Sequence, residues 1–174
     1  TLEFKDAGDF IVTLGALNGS LGGSEYLRTI HGKIQGPIPH LNLELEMGIQ
    51  ELCLDAIKKG IIKSAHDLSD GGLAVNVSES LIQSKAGLGA KLDVVRKLHN
   101  SELLFGECQS VIIVTLEESA LYELILLAQN LDMHTQTIGR VNESNSLVIN
   151  DQIDISRTKL ENAYLNSLEK IITQ

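Results

Sequence analysis

The chain has 174 residues, of which 43% are hydrophobic and only 3% aromatic, with no Trp and a formal net charge of −9. That length suits a single folded domain over residues 1–174, with a real and necessarily aliphatic core. The negative charge argues against a nucleic-acid surface, the two cysteines make no disulfide framework, no apolar run is long enough to span a membrane, and TLEFKDAGDF is no signal peptide, so the chain reads as soluble and cytoplasmic. A small anionic ligand stays compatible, because local N–H groups and a metal override the overall charge.

In chain order, residues 9–14 (DFIVTL) predict a short strand. A glycine-rich loop follows, and Gly22-Gly23-Ser24 opens a short helix carrying Tyr26, Leu27 and Ile30. This is a candidate anion cradle in which Ser24 caps the helix, or else a turn without a ligand. Residues 36–39 (GPIP) are extended, since neither proline nor its predecessor suits a helix here. His31 and His40 flank that stretch and read as surface residues. Residues 41–59 predict the clearest helix, with a stripe of Leu45, Ile49, Leu52, Ala56 and Lys59 beside Cys53 and Ile57. Its early Glu44 and Glu46 and late Lys58 and Lys59 match the helix dipole, and Gly60 ends it. Cys53 reads as buried filler and Glu51 as solvated.

Residues 61–81 (IIKSAHDLSDGGLAVNVSESL) organise the rest. Ile61-Ile62 predicts a short strand and residues 64–70 a polar loop. Gly71-Gly72 then enters an amphipathic helix with Leu73, Val77 and Leu81 at helical spacing. A strand, a glycine turn and a helix start gather unpaired backbone N–H groups, and the helix dipole favours an anion there. Asp67 and Asp70 add hard oxygen ligands, so the place suits a phosphate carried with magnesium. The same residues have a plainer use, with Asp70 as a cap and the glycines serving backbone geometry. Glu79 reads as solvent-facing.

Further on, residues 84–89 predict a turn, residues 90–94 a strand at a sheet edge, and residues 96–101 connecting structure with His99 exposed. The apolar run 111–116 predicts an interior strand. Before it, Glu107 and Ser110 either shape a cleft or, the stronger reading for Glu107, the carboxylate is tied to a backbone N–H. Residues 117–132 predict a helix, 134–141 a strand, 146–150 and 152–155 a hairpin, and 158–172 a last helix. This order gives an α/β domain with a mixed sheet covered by helices.

The string AHDLSDGGL at residues 65–73 resembles the C-terminal half of the formylglycinamidine ribonucleotide synthase family. LGGSEYL, HGKIQGPIP and LNLELEMGIQEL upstream, and LLFGECQSVIIV and TIGRV downstream, follow that family's pattern in order across nearly the whole chain. Relatives carry other strings at the central loop, AHITGGG in aminoimidazole ribonucleotide synthase and HDPTRGG in a hydrogenase-maturation member. The resemblance implies a PurM-like C-terminal domain with a three-layer α/β/α fold. It implies an ATP-dependent carbon–nitrogen ligase that makes formylglycinamidine ribonucleotide from formylglycinamide ribonucleotide, ATP and glutamine-derived ammonia.

Carried over by residue, the resemblance implies that Asp67 holds magnesium at an auxiliary nucleotide site. Ser69 then lies near the nucleotide, and Asp70, Gly71 and Gly72 shape the turn. His66 packs under the loop or touches the ligand, and Gly22, Gly23 and Ser24 lie beside the cleft. No catalytic residue is expected here, and neither Cys53 nor Cys108 has the setting of a glutaminase nucleophile. The chain is expected to be a fragment, inactive alone, with magnesium and ATP or ADP belonging to the full enzyme. Its expected partners are preceding ATP-binding domains, a glutaminase and a ribonucleotide, and an exposed cleft face also suits a homodimer. Two alternatives stay open: a selenophosphate-synthase-like or hydrogenase-maturation-like member, and a binding or assembly module without turnover.

Overall fold

The structure, a computed structural model, describes residues 1–95 and 98–166. Seven strands form one mixed sheet: β1 (Phe10–Leu14), β2 (Ser64–Asp67), β3 (Gly89–Leu92), β4 (Ile112–Leu116), β5 (Thr135–Asn142), β6 (Ser146–Ile149) and β7 (Ile153–Ser156). Their spatial order is β2-β4-β1-β5-β3-β6-β7, antiparallel throughout except for the parallel β3–β6 pair. Among the described residues six α-helices and one 3-10 turn (Glu118–Ala120) accompany them: α1 (Glu25–His31), α2 (Leu43–Lys58), α3 (Gly72–Ile82), α4 (Asn100–Phe105), α5 (Leu121–Asn130) and α6 (Arg157–Leu165).

Two separate apolar clusters make this a three-layer fold. Side chains alternate across a strand, so Ile11 and Ile113 face one way, with Leu73, Val77 and Leu81 of α3 and Leu103 and Leu104 of α4. Val12, Leu14, Val114 and Leu116 face the other way, against Ile49, Leu52, Cys53 and Ala56 of α2 and Leu124 and Ala128 of α5. The expected three-layer α/β/α arrangement is therefore the one observed. Burial raises the Cys53 thiol above its ordinary range, as suits a residue that only packs.

Four expectations are corrected. The strand expected at Ile61-Ile62 lies further on, at Ser64–Asp67, within the stretch read as a loop. Ile61 fills the core beside α2, and its N–H bonds Ala56 O at 2.9 Å. Polar residues can form β2 because it is an edge strand and because the Ser64 hydroxyl meets the Thr115 hydroxyl at 2.6 Å. The strand read as a sheet edge, β3, is interior, with β5 and β6 on its two sides. Val94 continues it without a ladder, its N–H donating to the Asn150 side chain at 2.8 Å. Helix α2 starts two residues late, where the Asn42 side chain accepts from Glu44 N and Leu45 N, and its core stripe is narrower, with Leu45 and Ile57 exposed. Helix α4 stands where only connection was expected. The hairpin and the start of α6 are as expected, and the helix expected over 117–132 is present as a 3-10 turn at Glu118–Ala120 followed by α5. Arg96 and the proposed extension of α6 to Ile172 lie outside the described residues.

Candidate functional site

At the end of β2 the chain turns sharply into α3. The turn is held from inside: buried Leu68 donates its N–H to Val111 O at 2.9 Å, and the amide of buried Asn76 donates to Asp67 O at 2.7 Å. Its polar side chains, Asp67, Ser69 and Asp70, therefore stand outward and exposed. They line a cleft of about 450 Å³ together with Glu46 and Gln50 of α2 and Glu107 of the loop before β4. Four carboxylates and no Lys or Arg belong to that lining among the described residues. A second cleft of about 440 Å³ adjoins it and shares Cys108, Gln109 and Ser110. Between the two, Ser110 takes a left-handed φ of 59° and donates to Glu46 Oε2 at 2.6 Å.

Asp70 does not cap α3: the cap is Gly71, without a side-chain hydrogen bond. The Ser69 hydroxyl donates to Asp67 Oδ2 at 3.4 Å. His66 sits on the other face of the sheet, its Nδ1 3.2 Å from the Ser80 hydroxyl and its Nε2 3.6 Å from the Glu79 carboxylate. His66 therefore packs against the later part of α3 and not in the cleft lining, and Glu79, read as solvent-facing, is half-buried against it.

Both glycine turns form as expected, but each backbone approaches protein. A Cβ on Gly22 would lie 2.0 Å from Pro37 O, so this turn seats the extended GPIP segment. A Cβ on Gly72 would lie 2.7 Å from Gly106 O, and its φ is +69°. Gly72→Ala is expected to cost about 1–3 kcal/mol, read as a lower midpoint in urea with an unchanged slope. Ser24 caps α1 as predicted, accepting from Leu27 N at 3.3 Å and donating to Leu21 O at 2.6 Å, and it is buried. The leading amides beyond these turns, Glu25 N and Gly71 N, donate to one atom, Glu107 Oε1, at 2.8 and 2.9 Å. The stronger sequence reading of Glu107 is the observed one. Sequence reasoning missed Asn76 and the Glu46–Ser110 pair, and neither residue type signals its partner at such separations.

No group of three or more His, Cys, Asp or Glu side chains among the described residues is arranged to hold a metal. An all-protein metal cage does not fit. Magnesium arriving on phosphates needs only one or two carboxylates, and Asp67 and Asp70 fit that requirement.

A family model described as AIR synthase related protein, C-terminal domain, matches residues 6–152. The chain belongs to this family. Among curated relatives of this AIR synthase related domain is a phosphoribosylformylglycinamidine synthase subunit PurL from Alkaliphilus metalliredigens. It is 49% identical over 117 residues, 67% of this chain and 16% of the relative. The PurL subunit of Caldanaerobacter subterraneus is 35% identical over 170 residues, 98% of this chain and 22% of the relative. The chain thus spans only about a fifth of the length of these relatives. In fold it is similar to Thermotoga maritima PurL complexed with FGAR, with a TM-score of 0.74 at 19% identity, covering 91% of this chain and 29% of that one. Among the described residues no helix is long and apolar enough to cross a membrane.

Proposed function

We propose that this domain serves as the C-terminal domain of a phosphoribosylformylglycinamidine synthase, a cytoplasmic ATP-dependent ligase of purine biosynthesis. The observation that carries this reading is the 35% identity to a PurL subunit over 98% of the chain. In the reaction, ATP phosphorylates the amide oxygen of formylglycinamide ribonucleotide, and ammonia then displaces the phosphate. Without ATP-binding domains and a glutaminase the domain is expected to be inactive.

Its own part is to line an auxiliary nucleotide site. A cleft walled by carboxylates repels bare phosphate, so a nucleotide enters with its charge offset by magnesium. Asp67 holds the metal, Ser69 and Asp70 meet the ligand beside it, and Gly22, Gly23, Ser24, Gly71 and Gly72 shape the wall. Magnesium supplies charge neutralisation on the phosphates; Asn76 keeps Asp67 aimed at the cleft. Ile30, Ile34, Ile38, Leu43 and Met47 are 62–83% exposed. Exposed apolar side chains of this kind suit burial against a neighbouring domain of the same synthetase.

The test replaces the C-terminal domain of the Alkaliphilus PurL with this chain. The chimera is expected to restore growth without purines in a host lacking that enzyme. Asp67→Asn in the chimera is expected to weaken Mg-ADP binding about tenfold or more by calorimetry. A folded chimera that fails to support growth would sink the assignment, and unchanged Mg-ADP affinity would sink the role of Asp67.

A further inference from the structure

We propose that Glu107 is the resident anion of the two glycine turns, a positioning residue that holds the wall of the cleft in place of a ligand phosphate. The inference rests on the reading of this cleft as a ligand site, and it says which donors the ligand does not use.

The geometry is specific. One oxygen, Glu107 Oε1, receives the N–H of Glu25, the first residue of α1, and the N–H of Gly71, the cap of α3, at 2.8 and 2.9 Å. Both are amides that a helix leaves without an internal partner. A carboxylate between them makes charge-assisted bonds of the kind a phosphate oxygen would make. The backbone that presents it is fixed as well. Glu107 and Ser20 exchange N–H···O bonds of 3.0 Å each, and the Gly106 carbonyl packs against Gly19 and Gly72. Beyond Gly106, the stacked rings of Phe105 and Tyr26, 5.0 Å apart, tie α4 to α1.

An incoming phosphate would have to displace an intramolecular carboxylate already held at bonding distance. Such a group competes at a high effective concentration. The two amides are therefore structural donors, and a ligand whose phosphate charge is offset by magnesium would be met at the open side of the cleft, where Asp67 and Asp70 stand. Glu107 closes the circuit: the amide it fixes at Gly71 directly follows Asp70, so its loss should reach residues 67–72.

The experiment uses the chain itself and formate as the probe. Glu107→Ala is expected to melt at least about 5 °C below wild type in chloride. Formate at equal ionic strength should recover several degrees in the variant and leave wild type unchanged. In nitrogen–proton spectra the Glu25 and Gly71 amides of the variant should shift saturably with formate, and those of residues 67–70 should move with them. Glu107→Gln guards against a variant that does not fold. It keeps an acceptor without the charge, so the same two amides should shift upfield of wild type with the rest of the spectrum retained. Equal melting of Glu107→Ala and wild type, formate-insensitive amides in a folded Glu107→Ala, or unmoved amides in Glu107→Gln would each overturn the proposal. No nucleotide is present, so this outcome stands apart from whether the cleft takes Mg-ADP.

Discussion

Arg157→Met is expected to lower the unfolding free energy of the chain by about 3–5 kcal/mol. Arg157 is 5% exposed, a depth at which a guanidinium persists only when its donors are met. It meets them at the end of α3. One terminal nitrogen bonds Ile82 O at 3.1 Å and Ser84 O at 2.6 Å; the other bonds the Ser84 hydroxyl at 3.1 Å and Lys85 O. Its Nε donates to Glu161 at 2.7 Å. A helix end leaves carbonyls unpaired and carries partial negative charge, and this planar cation answers both. Among the described residues of α6, Arg157 is the only buried one, with Leu160 packed partly buried against the core, so this cap is a main anchor of the helix. Methionine fills the space but leaves several carbonyls without donors. Lysine restores the charge and not the fork, so Arg157→Lys should recover only part. Urea denaturation followed by circular dichroism measures both. A loss under about 1 kcal/mol for Arg157→Met would show that α6 is held by something else.

What the sequence made legible follows from how local each signal is. Periodicity of apolar residues over α2, α3 and α5, and the short apolar runs of β1 and β4, depend on neighbours within a turn or two of chain, and they marked those elements; the two layers of helices came from the family resemblance. The glycine pairs marked both turns of the site. The errors came where a partner far along the chain decides. β2 is polar, and it is a strand only because Thr115 and the rest of β4 lie beside it. β3 looked like an edge because the parallel partner that encloses it, β6, arrives more than fifty residues later. The glycines suggested ligand approach, whereas the atoms approaching Gly22 and Gly72 belong to Pro37, Phe105 and Gly106. Glu107 shows the limit most clearly: a carboxylate bound to a backbone N–H was readable, but that one oxygen joins both turns is a fact of three dimensions.

Lys63→Met is expected to cost a comparable 3–5 kcal/mol, about the penalty for leaving a buried charge without its partner. Lys63 Nζ lies 2.9 Å from Asp9 Oδ1, 3.0 Å from Asp6 and 3.0 Å from Glu117. Asp9 is 3% exposed, and its second oxygen has no hydrogen-bond partner. Remove the lysine and Asp9 keeps neither solvent nor counter-ion, at the point where the N-terminal segment enters β1. A second substitution tests this cause: Asp9→Asn added to Lys63→Met should recover much of the loss, since the stranded charge is gone, whereas independent sites would add. The pH dependence has a definite sign. Partial burial opposes the ammonium, but hydrogen bonds to Asp9, Asp6 and Glu117 outweigh it and raise Lys63 above its ordinary 10.5. A raised cation stabilises fully below 10.5 and loses that contribution as pH climbs through the folded value. Asp6 behaves oppositely: the Lys63 hydrogen bond holds it below its ordinary 3.8, so its contribution is full above that value and fades as pH falls further. The gap between wild type and Lys63→Met should therefore be widest between 3.8 and 10.5 and narrow on both sides. Denaturant midpoints for the two proteins at pH 7 and above 10.5 decide the matter. A gap that stays constant on raising the pH would mean that Lys63 contributes by packing its methylenes, and that its charge does not hold β1 to β2.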